Sequence, residues 1–174
     1  MGKTVIEIGL NSKDIGRAIK EIEKYKQDML KKLNTFRKRL AEEISADAKV
    51  GFSTAVVDDL IRGGFSTPQV TFLPPKDNGN VTVVIVQGKD AIFVEFGAGI
   101  YHNGSVGSSP HPKGAEFGYT IGSYGKGYGK GKAWGYLENG EPKITRGTPA
   151  AMPMYNAMKS VISKAESIAR EVWK

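Results

Sequence analysis

One apolar stripe limits what this chain can fold into more than any other feature. Between residues 15 and 44 the large apolar side chains fall at Ile15, Ile19, Ile22, Met29, Leu33, Phe36, Leu40 and Ile44. Steps of three and four put them on one face of a helix, with a polar interruption at Lys26 that Tyr25 fills. Ser12 offers an N-cap oxygen and Asp14 a favourable charge in the first turn, so the pattern predicts one helix over residues 12–49. At 1.5 Å per residue, about 38 residues extend roughly 57 Å. A compact body of 174 residues has a diameter of roughly 40 Å. A straight helix therefore outgrows its own domain, and must bend, break or pack against another chain. Self-association is the expectation; an isolated coiled-coil dimer is the competing account, modestly supported by about four heptads with a gap.

The rest of the chain reads as a small sheet and a second helix. Residues 4–10 alternate well enough for a short strand, and 55–61 suit a short helix ended by Gly63-Gly64. Three β-like runs follow at 69–73, 81–86 and 91–96, with turns at Pro74-Pro75 and 77–79 and then at 88–90. Such spacing predicts an antiparallel meander with 81–86 at its centre. Residues 134–137 and 143–145 form a further strand pair around Glu138-Asn139-Gly140. Pro153 suits the first turn of a helix, and Met154, Met158, Val161, Ile162, Ala165, Ile168, Ala169 and Val172 carry its apolar face. The expected fold class is α+β, one domain over 1–174. A long N-terminal and a C-terminal helix pack on a small antiparallel sheet, and residues 98–145 form a Gly- and Tyr-rich inserted loop or arm.

Composition removes several chemistries. There is no cysteine, hence no disulfide, thiolate zinc site or cysteine nucleophile. The first residues carry no sustained apolar segment, and no window reaches the roughly 18 apolar residues of a membrane span. The expectation is a cytosolic chain, or one belonging to a particle assembled in a cytosol, with no membrane partner. The formal net charge is +7. Lys13, Arg17, Lys20, Lys24, Lys26, Lys31, Lys32, Arg37, Lys38 and Arg39 crowd the first helix, and Lys126, Lys130 and Lys132 alternate with glycines. Such clusters point to nucleic acid or an acidic protein surface. The plainer reading is a solvated helix face balanced by Glu21, Glu23, Glu42 and Glu43.

Motifs for catalysis do not assemble. Around Gly127 and Gly131 the spacing is one residue short of a phosphate loop, and Ala133 stands where a hydroxyl is needed. His102 and His111 lie in the loop without metal-ligand spacing, with Glu116 as the only candidate third ligand, and read as solvated bystanders. Glu95, between Val94 and Phe96, reads as an exposed carboxylate on the outer sheet face or as a partner of Arg146. No second acid marks a glycosidase pair. The chain is read as a non-enzyme without cofactor.

FVEFGAG at 93–99 and TRGTPAAMPMYNAM at 145–158 together resemble the neck or tail-completion proteins of long-tailed double-stranded-DNA phages, the gene-product-10-like tail component family. The resemblance covers about residues 10–174, and its two motifs are specific in combination. A Thr-Gly-x-Leu-Arg turn common in that family is only approximated here by Ser53-Thr54 and 59–62, and its Pro-Phe is Pro153-Met154. The resemblance implies a structural virion protein of the head–tail neck, assembled in the host bacterial cytoplasm. It would form a ring, often hexameric, between the head connector and the tail-terminator or tail-tube proteins, with non-specific contact to DNA in the channel. No catalytic, cofactor or metal residues carry over. Glu95, Phe96 and Gly97 would shape the sheet end, and Arg146, Gly147 and Pro149 the turn that docks the helix begun by Pro153. Tyr119, Tyr124, Tyr128, Trp134 and Tyr136 mark the arm as a partner-binding element. The rival reading is a basic nucleic-acid-binding protein, whose phosphate contacts would weaken steeply with salt and whose tyrosines would stack on bases.

Overall fold

The computed structural model describes residues 9, 11–59, 64–103, 109–118 and 132–174. Helix α1 (Ser12–Thr54) leads into strands β1 (Val57–Asp59), β2 (Gly64–Ser66), β3 (Thr71–Asp77) and β4 (Thr82–Gln87). Helices α2 (Ala91–Phe96) and α3 (Ile100–Asn103) follow, then strands β5 (Trp134–Glu138) and β6 (Glu141–Thr145) and helix α4 (Pro153–Val172). The architecture is α+β, with a long N-terminal helix, a C-terminal helix and small antiparallel sheets. The strand expected at 4–10 lies outside the described residues apart from Gly9. Among the described residues no helix is long and apolar enough to cross a membrane.

Helix α1 holds 43 residues without a break, which extend it to about 65 Å. Its cap is Asn11, one residue earlier than expected, whose side-chain oxygen accepts the Asp14 N–H at 2.9 Å. It outlasts the expected end at 49. It stops where the Ser53 and Thr54 hydroxyls donate to the Val50 carbonyl at 2.8 and 3.2 Å, and Ala55 turns extended. Hydroxyls bonded back onto the last carbonyls satisfy acceptors that further helix would otherwise need. The β-branched pair Val56-Val57 then enters β1, so a strand replaces the expected 55–61 helix in its described part.

Helix α4 lies antiparallel along the C-terminal half of α1. Pro153 approaches Gly51, Lys164 reaches Asp47 at 3.4 Å, Arg39 meets Glu171 at 2.7 Å, and the Phe36 and Trp173 rings stack edge-on at 5.5 Å. A Cβ at Gly51 would come within 2.8 Å of the Pro153 Cβ, so the bare backbone permits this approach. Ahead of Phe36, α1 runs on past the end of α4 for about 24 residues, roughly 36 Å. Along that length Ile15, Ile19, Ile22 and Leu33 remain 42% to 53% exposed.

The hairpin β3–β4 covers another flank of α1, with Phe52 against Phe72 at 5.7 Å. Phe52, Ala55 and Val94 form the buried core, packed by Val57, Val70, Phe72, Val86, Ala151 and Met154. The expected turn at Pro74-Pro75 is instead an irregularity inside β3, between Leu73 and Lys76. A two-stranded sheet has only edges, and there the missing N–H of proline breaks no second ladder.

The expected third strand of the meander is helix α2. Its buried residues, Ala91, Val94 and Glu95, follow helical spacing, and Gly97 at φ 78° ends it by donating to the Phe93 carbonyl at 2.8 Å. Six residues are too few for periodicity to separate a strand from a buried helical turn. The described strands therefore pair as three two-stranded sheets, β1–β2, β3–β4 and β5–β6. The last forms as expected: Asn139 and Gly140 both have positive φ, the geometry of a tight hairpin turn.

Candidate functional site

The segments 93–99 and 145–158 meet at one joint. Ala98 and Thr148 exchange both backbone hydrogen bonds at 2.9 Å, and the Val94 carbonyl accepts from Ala151 at 2.9 Å and Met152 at 3.3 Å. Met152 is held left-handed at φ 53°, a conformation that costs about 1–2 kcal/mol. The surrounding hydrogen bonds impose it, and α4 begins at the next residue.

Glu95 ties that helix start to α2. Its two oxygens accept the N–H groups of Met154 and Tyr155 at 2.8 and 2.9 Å. First-turn amides have no acceptor inside their own helix, and the helix dipole favours an anion there. Glu95 is therefore buried, 8% exposed, where an exposed or Arg146-paired carboxylate was expected. The reason is that 91–96 is helical, so Glu95 shares an inward face with Val94 instead of alternating away from it.

A third donor comes from the segment 109–118. The His111 Nδ1 accepts the Lys113 N–H at 3.0 Å, which requires a neutral ring to carry its proton on Nε2. That nitrogen faces Glu95 Oε1 at 3.2 Å. The ring is 6% exposed, between Phe96 at 4.5 Å and Tyr155 at 5.1 Å. Ser109 adds a 2.6 Å bond to the Phe96 carbonyl. His111 is thus a buried pin and not the solvated bystander expected.

On the neighbouring side of the joint stands Asp58 in β1, its side chain fully buried. Its Oδ2 accepts Arg146 Nε at 2.7 Å and lies 3.0 Å from His102 Nε2. The Asp58 carbonyl accepts Thr145 Oγ1 at 2.8 Å, and Thr145 Oγ1 accepts the Gly147 N–H at 2.9 Å. Burial pushes the Asp58 carboxyl up, but hydrogen bonds from Arg146 and His102 outweigh it and hold it below the usual value. The Asp58 hydrogen bond holds Arg146 above its own usual value. Arg146 also donates to the Tyr101 hydroxyl at 3.2 Å and stands 4.5 Å over that ring. His102 packs edge-on to Tyr101, so it too is positioned by the fold.

Gly147 lets the strands close. Its φ is 102°, and a Cβ there would strike the Ala98 carbonyl and come within 2.9 Å of the Trp134 ring. Gly97, Thr148 and Pro153 are buried beside it, and Phe96 and Pro149 half-buried. The joint thus brings together Glu95, Phe96, Gly97, Arg146, Gly147, Pro149 and Pro153, with Trp134 at its edge. Tyr136 stands away on β5, 47% exposed. Tyr119, Tyr124 and Tyr128 lie outside the described residues. The described parts of 98–145 hold α3, the pinned segment 109–118 and the β5–β6 hairpin, which Lys89 ties to the body through Glu138 at 2.6 Å.

Asp58, Tyr101, His102 and His111 escaped sequence reasoning as members of this joint. Only Asp58 left a trace, as an acid directly after the β-branched Val56-Val57. Among the described residues no group of three metal-ligating side chains occurs. The arrangement orients backbone and caps a helix. No family model, curated protein or solved structure matches the chain.

Proposed function

We propose that this chain is a structural subunit of a phage or prophage-derived tail neck, a homo-oligomeric ring, hexameric in this reading, between head connector and tail tube. The observation that carries it is α1. A helix of about 65 Å on a body of roughly 40 Å leaves Ile15, Ile19, Ile22 and Leu33 half-exposed in a single copy, although Ala18 among them is buried. The resemblance of 93–99 and 145–158 to the tail-completion family adds support, since these residues close a joint between two helices. In this reading the Glu95 and Asp58 clusters are architectural, and no catalytic step or cofactor is involved. Residues 98–145, with Tyr119, Tyr124, Tyr128, Trp134 and Tyr136, serve as the arm that meets a neighbour. Lysines facing the channel touch passing DNA without reading its sequence.

The test is the solution mass by light scattering across protein concentration and salt. A discrete ring, or a monomer closing into one as concentration rises, is the expected result. A strict monomer that binds DNA with a steep salt dependence would overturn it in favour of the nucleic-acid-binding reading.

A further inference from the structure

We propose that one exposed basic row of α1 is a docking surface for the phosphate backbone of duplex DNA; this rests on the DNA contact of the reading above and names the surface that makes it. From residue 13 to 38, alternating steps of four and three residues meet six cations, Lys13, Arg17, Lys20, Lys24, Lys31 and Lys38. The two remaining steps fall on the neutral amides Gln27 and Asn34. Residues at such steps share one side of an α-helix.

All six cations are exposed. Arg17 pairs with Asp14 at 3.1 Å, and Lys38 with Glu42 at 3.8 Å. Lys13, Lys20, Lys24 and Lys31 make no ion pair among the described residues. The acids of this stretch, Asp14, Glu21, Glu23 and Asp28, fall to the sides of the row and none falls in it. Residues 12–38 carry nine Lys or Arg against those four acids, so a positive field remains along the row.

Length and sign favour a duplex as the occupant. From 13 to 38 the row extends about 37 Å, close to one turn of B-DNA at about 34–36 Å. Duplex DNA presents a charge about every 1.7 Å of its axis, so a row of one sign meets phosphates along its whole length. Five of the six cations are lysines, point charges on flexible stems that follow phosphates without the planar fork that reads a base edge. An anionic membrane fits less well. A helix lying on a membrane buries its apolar side in the same surface that its cations touch. Here Ile15, Ile19, Ile22 and Leu33 each stand two residues after a cation of the row, about 200° around the helix. The cations therefore face away from the apolar side.

The test is fluorescence anisotropy of a labelled duplex of mixed sequence, titrated with the full chain at several salt concentrations. Six phosphate contacts per chain predict a slope of about 5 for log Kd against log salt, a loss of about a thousandfold between 50 and 200 mM. Lys20→Gln with Lys24→Gln and Lys31→Gln should lower that slope by about 3. Gln is as good a helix former as Lys, so the circular dichroism spectrum should not change. The matched control, Lys76→Gln with Lys113→Gln and Lys159→Gln, removes the same charge from exposed positions off the row and should leave the slope unaltered. Equal effects of the two triple variants would reduce the row to net charge and overturn the docking. So would an absence of binding at about 50 mM salt, equally tight binding of polyglutamate, or binding of phosphatidylserine vesicles in preference to the duplex. Light scattering of the same samples separates this outcome from that of the ring. A ring that does not bind the duplex overturns the docking alone, and a monomer that binds it through the row supports the docking and overturns the ring alone.

Discussion

Asp58 and Arg146 lie 88 residues apart in the chain and 2.7 Å apart in the fold, with the guanidinium Nε donating to the buried carboxylate. His102 reaches the same oxygen from α3. One carboxylate therefore fixes β1, α3 and the turn before α4 relative to one another.

Stability should follow its ionisation. The folded Asp58 carboxyl is held below the ordinary value of 3.8. The folded state then favours the ionised form, so the contribution is fully present above that value and is lost as pH falls through the folded pKa. Asp58→Asn should destabilise at pH 7 by about 2 kcal/mol, the scale of hydrogen bonds to a charged group. The gap between the two chains should narrow as pH drops below 3.8. Melting temperatures from pH 7 to 2.5 measure this, and parallel acid profiles would remove the assigned role.

Glu95→Gln tests the helix start. The amide keeps an acceptor for one of the two N–H groups of Met154 and Tyr155, but loses the charge at the helix N-terminus. A cost of about 1–2 kcal/mol is expected. In a chain of this size each kcal/mol lowers the melting temperature by about 2–4 °C. An unchanged melting temperature would show that the carboxylate does not cap α4.

These two clusters also mark where the sequence is silent. The stripes of α1 and α4 are legible because many helical turns average out single exceptions such as Lys26. AIFVEF is not, because six residues, five of them apolar, suit a strand or a buried helical turn equally, and the packing of Val94 against Phe52 and Ala55 decides. Asp58 and Arg146 leave no local mark, since nothing in either neighbourhood names a partner so far along the chain. His111 is hidden by its surroundings: a histidine between Pro110 and Pro112 resembles any loop residue until Glu95 is turned towards it. The motif residues Glu95, Gly147 and Pro153 do converge, as a helix cap and a strand crossing and not as the end of a sheet.

Gly147→Ala should be the most damaging methyl addition at the joint. A left-handed φ and a collision with the Ala98 carbonyl act together, and the expected loss is about 3 kcal/mol or more. Gly140→Ala is the matched control. Its φ of 83° is also positive, but nothing lies within 4 Å of the added carbon, so about 1 kcal/mol is expected. Equal losses, compared by thermal or urea unfolding, would mean that the approach of 98 to 147 is not tight.

Val94 and Ile22 separate the stability of the body from that of the assembly. Val94 is completely buried in the core, whereas Ile22 is 52% exposed on the part of α1 that runs past the end of α4. Val94→Ala removes two methyl groups and leaves a cavity, which should cost about 2–3 kcal/mol at any protein concentration. Ile22→Ala should stay within about 0.5 kcal/mol where the chain is monomeric, as a substitution away from the core does. At concentrations where copies associate, its melting temperature should fall below that of the unaltered chain, because association stabilises only the chain that still makes the contact. Unfolding curves at two concentrations, one below and one above the association range, resolve the two effects. A loss for Ile22→Ala of the same size at both concentrations would place Ile22 in the fold of the single chain and remove it from any interface.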